Sequence, residues 1–237
     1  MWVGLKRYML KIGVLFLISI FINCLHAIEL NNNSKLNSFI SEPSFSFLNS
    51  EQKISLEGEN AILINSFEYL LEKPELKLKT DKFSINIKAL KAEFNRNSKF
   101  IYFRNSVTFK TFFEKEILIQ SEELTLDFNK QKLASNLPVF ASINGVSVNS
   151  LGIEILQLED DLKAEFYKGE IKIKTKENYH TGSANKISIL PTLNELVMDG
   201  NAYFDQDGFI IKSDTIHYNL EQNKIIKSLN SKIENPL

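Results

Sequence analysis

The chain of 237 residues contains one cysteine, one tryptophan and three histidines. With Cys24 as its only cysteine it cannot form an internal disulfide, so any fold must be held together by its apolar core. None of the motifs typical of phosphate loops, serine hydrolases, zinc proteases or dithiol redox sites occurs in the sequence. The sequence therefore predicts a protein that is not an enzyme and that uses neither a metal nor a cofactor.

Two groups of residues could still form a metal-binding or catalytic site. His180 and His217 lack the spacing of metal ligands, so surface or strand positions explain them better. Asp205, Asp207 and Gly208 faintly resemble the start of a calcium loop, yet the later ligands are missing and Asp-Gly is typical of a tight hairpin. An exported hydrolase acting on glycans stays open as an alternative, although no spacing singles out a pair of carboxylates.

Residues 1–27 have the features of an export segment. The basic residues Lys6, Arg7 and Lys11 precede an apolar stretch over 12–22, and the small residue Ala27 follows it. The stretch is short for a bilayer span, which needs about 20 apolar residues. A cleaved signal peptide, an uncleaved N-terminal membrane anchor and lipidation at Cys24 stay open. We expect a periplasmic protein, retained at the inner membrane if the anchor is kept.

Charge and composition limit the partners and the domain organisation that the rest of the chain can have. The 28 basic residues nearly balance the 29 acidic ones. Loss of residues 1–27 would remove three basic residues and no acidic ones, which leaves the rest of the chain net negative, so nucleic-acid binding is not predicted. Residues 28–50 contain an Asn- and Ser-rich stretch and are predicted to be a linker, with an irregular N-terminal strand as the alternative. Residues 51–237 suffice for one domain. Only residues 62–71 could form a short helix.

The strongest pattern is a repeat of about 30 residues. In each copy, two apolar residues in alternation precede a small residue, and two more apolar residues in alternation follow after a gap of two. The small residues are Ala89, Ser121, Ser150, Ala184 and Ser213. The copy around Ala184 is weaker, because His180 and Gly182 occupy positions where apolar residues are expected.

Alternation with a period of two predicts β-strands. The gap after the small residue shifts the phase by one, and a bend or bulge there would return both arms to the same interior. Asn144-Gly145 and Asp207-Gly208 favour tight hairpins. Segments 105–107, 169–171 and 200–202 are predicted to restart the chain after turns. The sequence thus predicts an all-β antiparallel meander of short strands built from the repeat.

The repeated unit resembles the OstA-like family of lipopolysaccharide transport periplasmic proteins, of the LptA and LptC type. The segments that show the unit best are 119–128 and 211–219, each with Ser followed by an acidic residue between two apolar arms. The resemblance implies an open β-jelly roll whose apolar interior receives acyl chains. It also implies three partners: lipopolysaccharide or a related glycolipid, neighbouring jelly-roll transport proteins that pair through edge strands, and an inner-membrane ABC transporter.

Under this resemblance, the apolar residues of the clean copies are candidates for contact with lipid. The candidates are Ile85, Ile87, Phe94, Ile117, Ile119, Leu124, Leu126, Phe128, Val146, Val148, Ile153, Ile155, Phe209, Ile211, Ile216 and Tyr218. The alternative is a structural or adhesive β-rich envelope protein with no lipid cargo, in which the same residues only fill a core.

Overall fold

The computed structural model describes residues 38–49, 52–79, 83–113, 115–157, 162–176 and 178–234. The described residues form twenty β-strands. The strands are β1 (Ser38–Ser41), β2 (Ser44–Asn49), β3 (Gln52–Glu57), β4 (Asn60–Asn65), β5 (Glu68–Glu72), β6 (Glu75–Lys79), β7 (Ser84–Lys88), β8 (Lys91–Asn95), β9 (Phe100–Phe113), β10 (Lys115–Asp127), β11 (Lys132–Ser135), β12 (Val139–Ile143), β13 (Val146–Ser150), β14 (Gly152–Gln157), β15 (Leu162–Lys174), β16 (Tyr179–Leu190), β17 (Glu195–Gln206), β18 (Phe209–Asn219), β19 (Lys224–Leu229) and β20 (Lys232–Glu234). Among these residues no helix is long and apolar enough to cross a membrane.

The strands pair into two antiparallel layers. The first layer follows the order β1, β4, β5, β8, β9, β10, β11, β14, β15, β16, β17, β18, β19. The second layer follows the order β2, β3, β6, β7, β9, β10, β12, β13, β15, β16, β17, β18, β20. The long strands belong to both layers because each bends from one into the other. The predicted all-β, antiparallel jelly-roll fold is confirmed.

The predicted bend after the small residue is confirmed as well. The pairing of β9 with β10 shifts between Ser121 and Glu123, directly after the small residue of that copy. Ile119 and Leu124 are both fully buried, although an odd number of positions separates them. Since side chains alternate along a strand, only such a shift can turn both arms toward one interior.

Serine suits the bend because its hydroxyl satisfies a backbone carbonyl there. The Ser150 hydroxyl donates to the Gly152 carbonyl at 2.9 Å. The Ser213 hydroxyl lies within hydrogen-bond distance of the Thr215 and Leu229 carbonyls, and its one hydrogen can be donated to either. The Ser121 hydroxyl donates to the Pro138 carbonyl at 3.2 Å. These serines are buried, so an unpaired carbonyl beside them would be costly.

The restarts predicted near residues 105, 169 and 200 are wrong. These segments lie inside the continuous strands β9, β15 and β17. Asn105 has φ 64°, Lys168 has φ 50° and Gly200 has φ 76°, so the chain kinks there without reversing. Asn and Gly favour positive φ in bulges as well as in turns, and the sequence pattern alone does not separate the two.

Both hairpins predicted from Asn-Gly and Asp-Gly are confirmed. Asn144 and Gly145 have φ 50° and 80°, and they join β12 to β13. Asp207 and Gly208 have φ 55° and 89°, and they join β17 to β18. Positive φ at both central residues is the requirement of the type I′ hairpin turn.

The predicted helix at residues 62–71 is wrong. That segment contains the end of β4, a turn and most of β5. The Asn65 side-chain carbonyl accepts hydrogen bonds from the backbone N–H of Phe67 and of Glu68, both at 3.0 Å. This local bonding reverses the chain and places the apolar residues on paired strands.

The strands begin earlier than the sequence indicates. β1 and β2 occupy 38–49, inside the predicted linker 28–50, so the alternative of an N-terminal strand describes that part. Ile40 and Phe45 explain the difference, because both pack against the core. The predicted export segment 1–27, with Cys24, lies outside the described residues.

Candidate lipid-binding interior

Two rows of mainly apolar residues run without a break across the inner faces of the layers. In the first layer the row is Leu63, Tyr69, Phe94, Ile101, Leu126, Leu133, Ile155, Ala164, Ile189, Leu196, Tyr218 and Ile225. In the second layer it is Phe45, Leu56, Leu76, Ile87, Phe109, Ile119, Ala141, Val148, Ile171, Gly182, Phe204, Ile211 and Ile233. Each member pairs directly with the next across the strands, so the apolar surface is continuous.

Most candidates from the sequence lie in this interior. The buried ones are Ile87, Phe94, Ile117, Ile119, Leu124, Val146, Val148, Ile153, Ile155, Ile216 and Tyr218. Ile85, Leu126, Phe128 and Ile211 are partly buried and pack against the same core. Phe209 is 51% exposed, so its assignment to the buried interior is wrong. It is the first residue of β18, next to the hairpin, where little of the fold covers it.

Aromatic rings join the two layers at the N-terminal end. The Phe45 ring on β2 lies 4.8 Å from the Tyr69 ring and 5.1 Å from the Phe94 ring, in edge-to-face geometry. Tyr69 and Phe94 belong to the other layer, so this cluster ties the layers together. Edge-to-face aromatic pairs add stabilisation beyond the area they bury.

The middle of the interior is filled by side chains. Phe103, Phe166 and Leu124 have no solvent exposure, and the rest of the core packs around them. An acyl chain can occupy this region only by replacing contacts between the layers. Because such contacts are non-directional, methylene groups can replace them without leaving a polar group unpaired.

The interior reaches solvent at the C-terminal end. Ile233 on β20 is 64% exposed and Phe209 on β18 is 51% exposed, while Ile211 between them in the fold is partly buried. Ile233 pairs with Ile211, which pairs with the fully buried Phe204, so the apolar row continues from solvent into the core. We call Phe209, Ile211 and Ile233 the C-terminal mouth. Ile233 lies outside the repeat, which is why the sequence pattern did not single it out.

One hydroxyl in the interior has no hydrogen-bond partner within the described part of the chain. Thr111 on β9 is 3% exposed, and its Oγ1 lacks a donor or acceptor nearby. It pairs with Ile85 and Ile117, both candidates from the repeat. Buried polar atoms are normally paired, so Thr111 could bond to a carbonyl or hydroxyl of a bound ligand.

The two histidines outside the export segment lie in different surroundings. His217 is partly buried on β18, with its Nδ1 2.8 Å from Glu195 Oε1. His180 is 4% exposed and faces the interior from β16, with its Nδ1 2.9 Å from the Tyr218 hydroxyl. Within the described residues no three His, Cys, Asp or Glu side chains form a metal-binding group.

The outer faces of the layers carry charge. Lys132 lies 2.5 Å from Glu154, and Lys163 lies 2.7 Å from Glu165, whose pKa is lowered mainly by the Lys163 hydrogen bond. A groove of about 660 Å³ on the surface of the second layer has a mixed lining, in which Gln120 and Asn149 alternate with apolar residues such as Phe140. The interior rows are more uniformly apolar than this groove, and they suit acyl chains better.

Both ends of the fold offer strand edges. Among the described residues, β1 pairs only with β4 and β2 only with β3. At the other end, β19 and β20 each pair only with β18. Unpaired edges can accept a strand from another protein.

Comparison with known proteins places this two-layer β protein in a family. A family model described as lipopolysaccharide-assembly, LptC-related matches residues 19–167, which is more than half of the chain. The chain therefore belongs to the LptC-related family of lipopolysaccharide-assembly proteins, and the resemblance drawn from its repeat is confirmed.

The search of curated proteins found no match. Among solved structures, the chain is similar to LptH from Pseudomonas aeruginosa, described as the LptA-homologous periplasmic component of the conserved lipopolysaccharide transport device. The two are 12% identical over 52% of this chain and 97% of LptH, with a TM-score of 0.46.

Proposed function

We propose that this protein binds the acyl chains of lipopolysaccharide, or of a related glycolipid, between its β-layers and passes them toward the outer membrane. The continuity of the two apolar rows carries the proposal. A transport path needs an apolar surface that does not end partway. The row of the first layer pairs residue to residue from β4 to β19, and the row of the second layer does so from β2 to β20.

The energetics favour movement of an acyl chain along the interior over tight binding at one position. A buried methylene group contributes about 0.8 kcal/mol, much the same whether a side chain or a lipid supplies it. Exchange of Leu126 or Ile155 contacts for lipid contacts therefore changes the free energy little. An acyl chain can then move along the row, and a partner such as an inner-membrane ABC transporter has to supply the direction.

The edges would connect the protein to its neighbours. We assign the periplasm as its location and jelly-roll transport proteins as its partners, joined by strand addition at β1 and β2 or at β19 and β20. Strand addition satisfies backbone groups that are otherwise unpaired and continues the apolar rows into the next protein. No step of this scheme needs catalysis.

Photo-crosslinking in cells tests the lipid path. A photoreactive amino acid at Leu126 faces the interior, whereas one at the adjacent Thr125 faces outward, where the Thr125 hydroxyl donates to the Ala134 carbonyl. We expect a glycolipid adduct by mass spectrometry at Leu126 and none at Thr125. Adducts at neither position would contradict the proposal and favour a filled structural β protein.

A second pair of positions tests the edge. Ile226 on the edge strand β19 is 52% exposed, and Leu193 near the β16–β17 hairpin is 62% exposed. A photoreactive group at Ile226 should yield an adduct with another jelly-roll transport protein, while the group at Leu193 should not. Equal labelling at both positions would show that exposure alone, and not the strand edge, determines contact.

A further inference from the structure

A hydrogen bond between side chains bridges the two layers near the C-terminal mouth. His180 lies in the half of β16 that belongs to the second layer, where it pairs with Ile173. Tyr218 lies in the half of β18 that belongs to the first layer, where it pairs with Leu196. His180 Nδ1 and the Tyr218 hydroxyl are 2.9 Å apart, and both residues are buried.

The surroundings favour one tautomer of His180. Nε2 lies 3.4 Å from Asp207 Oδ2, and a carboxylate can only accept, so the neutral imidazole is stabilised with its hydrogen on Nε2. In that tautomer Nδ1 accepts from the Tyr218 hydroxyl. Burial, with a smaller contribution from Asp207, raises the pKa of Tyr218 to about 12, which keeps that hydroxyl protonated. Asn178 Nδ2 donates to Asp207 Oδ1 at 3.1 Å and steadies the carboxylate.

This bridge lies beside Phe204, the buried residue that pairs with the mouth. The Phe204 ring lies 5.8 Å from the His180 ring and 5.2 Å from the Tyr218 ring, and Phe204 pairs with Ile211 of the mouth. Gly182 makes room for the group, because a Cβ there would lie 2.9 Å from the Phe204 ring. Of the two residues that break the repeat, His180 therefore forms the bridge and Gly182 leaves space for the Phe204 ring beside it.

We propose that the His180–Tyr218 hydrogen bond is a clasp between the layers that must open before an acyl chain can pass between the C-terminal mouth and the core. This inference rests on the proposed function. Elsewhere along the rows, a lipid replaces apolar contacts at little cost. At the clasp it must separate two buried polar groups, so this step limits the rate of passage.

The test measures the labelling of purified protein by lipopolysaccharide micelles over time. One photoreactive reporter stands at Ile233 in the mouth and another at Leu126, beyond the clasp. Tyr218→Phe removes the hydroxyl and keeps the ring. We expect labelling at Leu126 to become about five times faster, the change that follows from losing one ordinary hydrogen bond, while labelling at Ile233 stays the same.

The matched control is Tyr203→Phe, which removes a hydroxyl from the outer face of β17, in a surface groove beside Ser183, and should leave both rates unchanged. If Tyr218→Phe does not fold, His180→Phe takes its place, because it removes the ring nitrogen that bonds to the Tyr218 hydroxyl and keeps an aromatic ring at that position. Equal Leu126 rates in the wild type and the folded variant would overturn the clasp alone. Absence of Leu126 labelling in every protein would overturn the proposed function and the clasp with it.

Discussion

Gly182 offers a test in which the repeat and the structure predict opposite results. The corresponding residues of the clean copies are Ile87, Ile119, Val148 and Ile211, so restoring the pattern with Gly182→Ile should stabilise the fold if the repeat alone decides. In the structure, a Cβ at this position would lie 2.8 Å from the Tyr203 carbonyl oxygen and 3.0 Å from Met198 Sδ. The carbonyl is backbone and cannot move aside cheaply. We therefore expect Gly182→Ile to destabilise the protein.

The magnitude follows from two opposing effects. Overpacking a filled core costs about 1–3 kcal/mol, and replacing glycine recovers about 0.4–1 kcal/mol by restricting the unfolded chain. The midpoints of these two ranges give a net loss in free energy of unfolding of about 1.3 kcal/mol for Gly182→Ala, and Gly182→Ile should lose more. In a domain of this size, each kcal/mol lowers Tm by about 2–4 °C, so the alanine variant should melt about 3–5 °C lower.

Thermal and denaturant unfolding followed by circular dichroism measure this loss. Ser183→Ala is the matched control, because the neighbouring side chain faces away from the interior and should change stability by less than about 0.5 kcal/mol. Phe204→Ala removes the ring that a Cβ at residue 182 would crowd, so Gly182→Ala should cost less stability in the Phe204→Ala background than in the wild type. A Gly182→Ile protein as stable as the wild type would refute the argument from Cβ crowding.

Three further predictions concern the interior. Tyr218 has a raised pKa in the folded state, so the stability that its protonated hydroxyl contributes is complete below about pH 10 and is lost as the pH rises toward 12. In denaturant titrations, the difference in free energy of unfolding between wild type and Tyr218→Phe should therefore narrow by about 2 kcal/mol from pH 8 to pH 11.5. Thr111→Val should raise the free energy of unfolding by about 1 kcal/mol in the same assay, because it removes a buried hydroxyl without a partner. Leu126→Asp should abolish lipopolysaccharide transport in a complementation assay, whereas Thr125→Asp should leave it intact, because only Leu126 faces the core.

The repeat predicted the fold well because its information is local. Alternation around Ser121 fixes which side chains share a face, and the phase shift locates the bend, so the buried partners Ile119 and Leu124 could be assigned from the sequence. The hairpins at Asn144-Gly145 and Asp207-Gly208 are local in the same sense.

What the sequence could not predict depends on contacts between distant strands. Phe209 fits the apolar pattern, yet it is exposed because only the short strand β20 follows on that side. His180 breaks the pattern, yet it is buried because Tyr218, 38 positions away, reaches it from the other layer. The pattern also misread residues 62–71, where the Asn65 turn converts a short apolar run into a hairpin.

The central claim is that acyl chains lie between the layers. The most direct measurement is methyl NMR on deuterated protein with protonated isoleucine methyl groups, mixed with lipopolysaccharide that carries protonated acyl chains. The interior residues Ile119 and Ile187 are fully buried, whereas Ile64 and Ile226 are more than half exposed. One spectrum therefore contains both the test positions in the interior and the control positions on the surface. We predict intermolecular nuclear Overhauser effects from acyl methylenes to the interior methyl groups and none to the exposed ones. Contacts only at the exposed methyl groups would contradict the account.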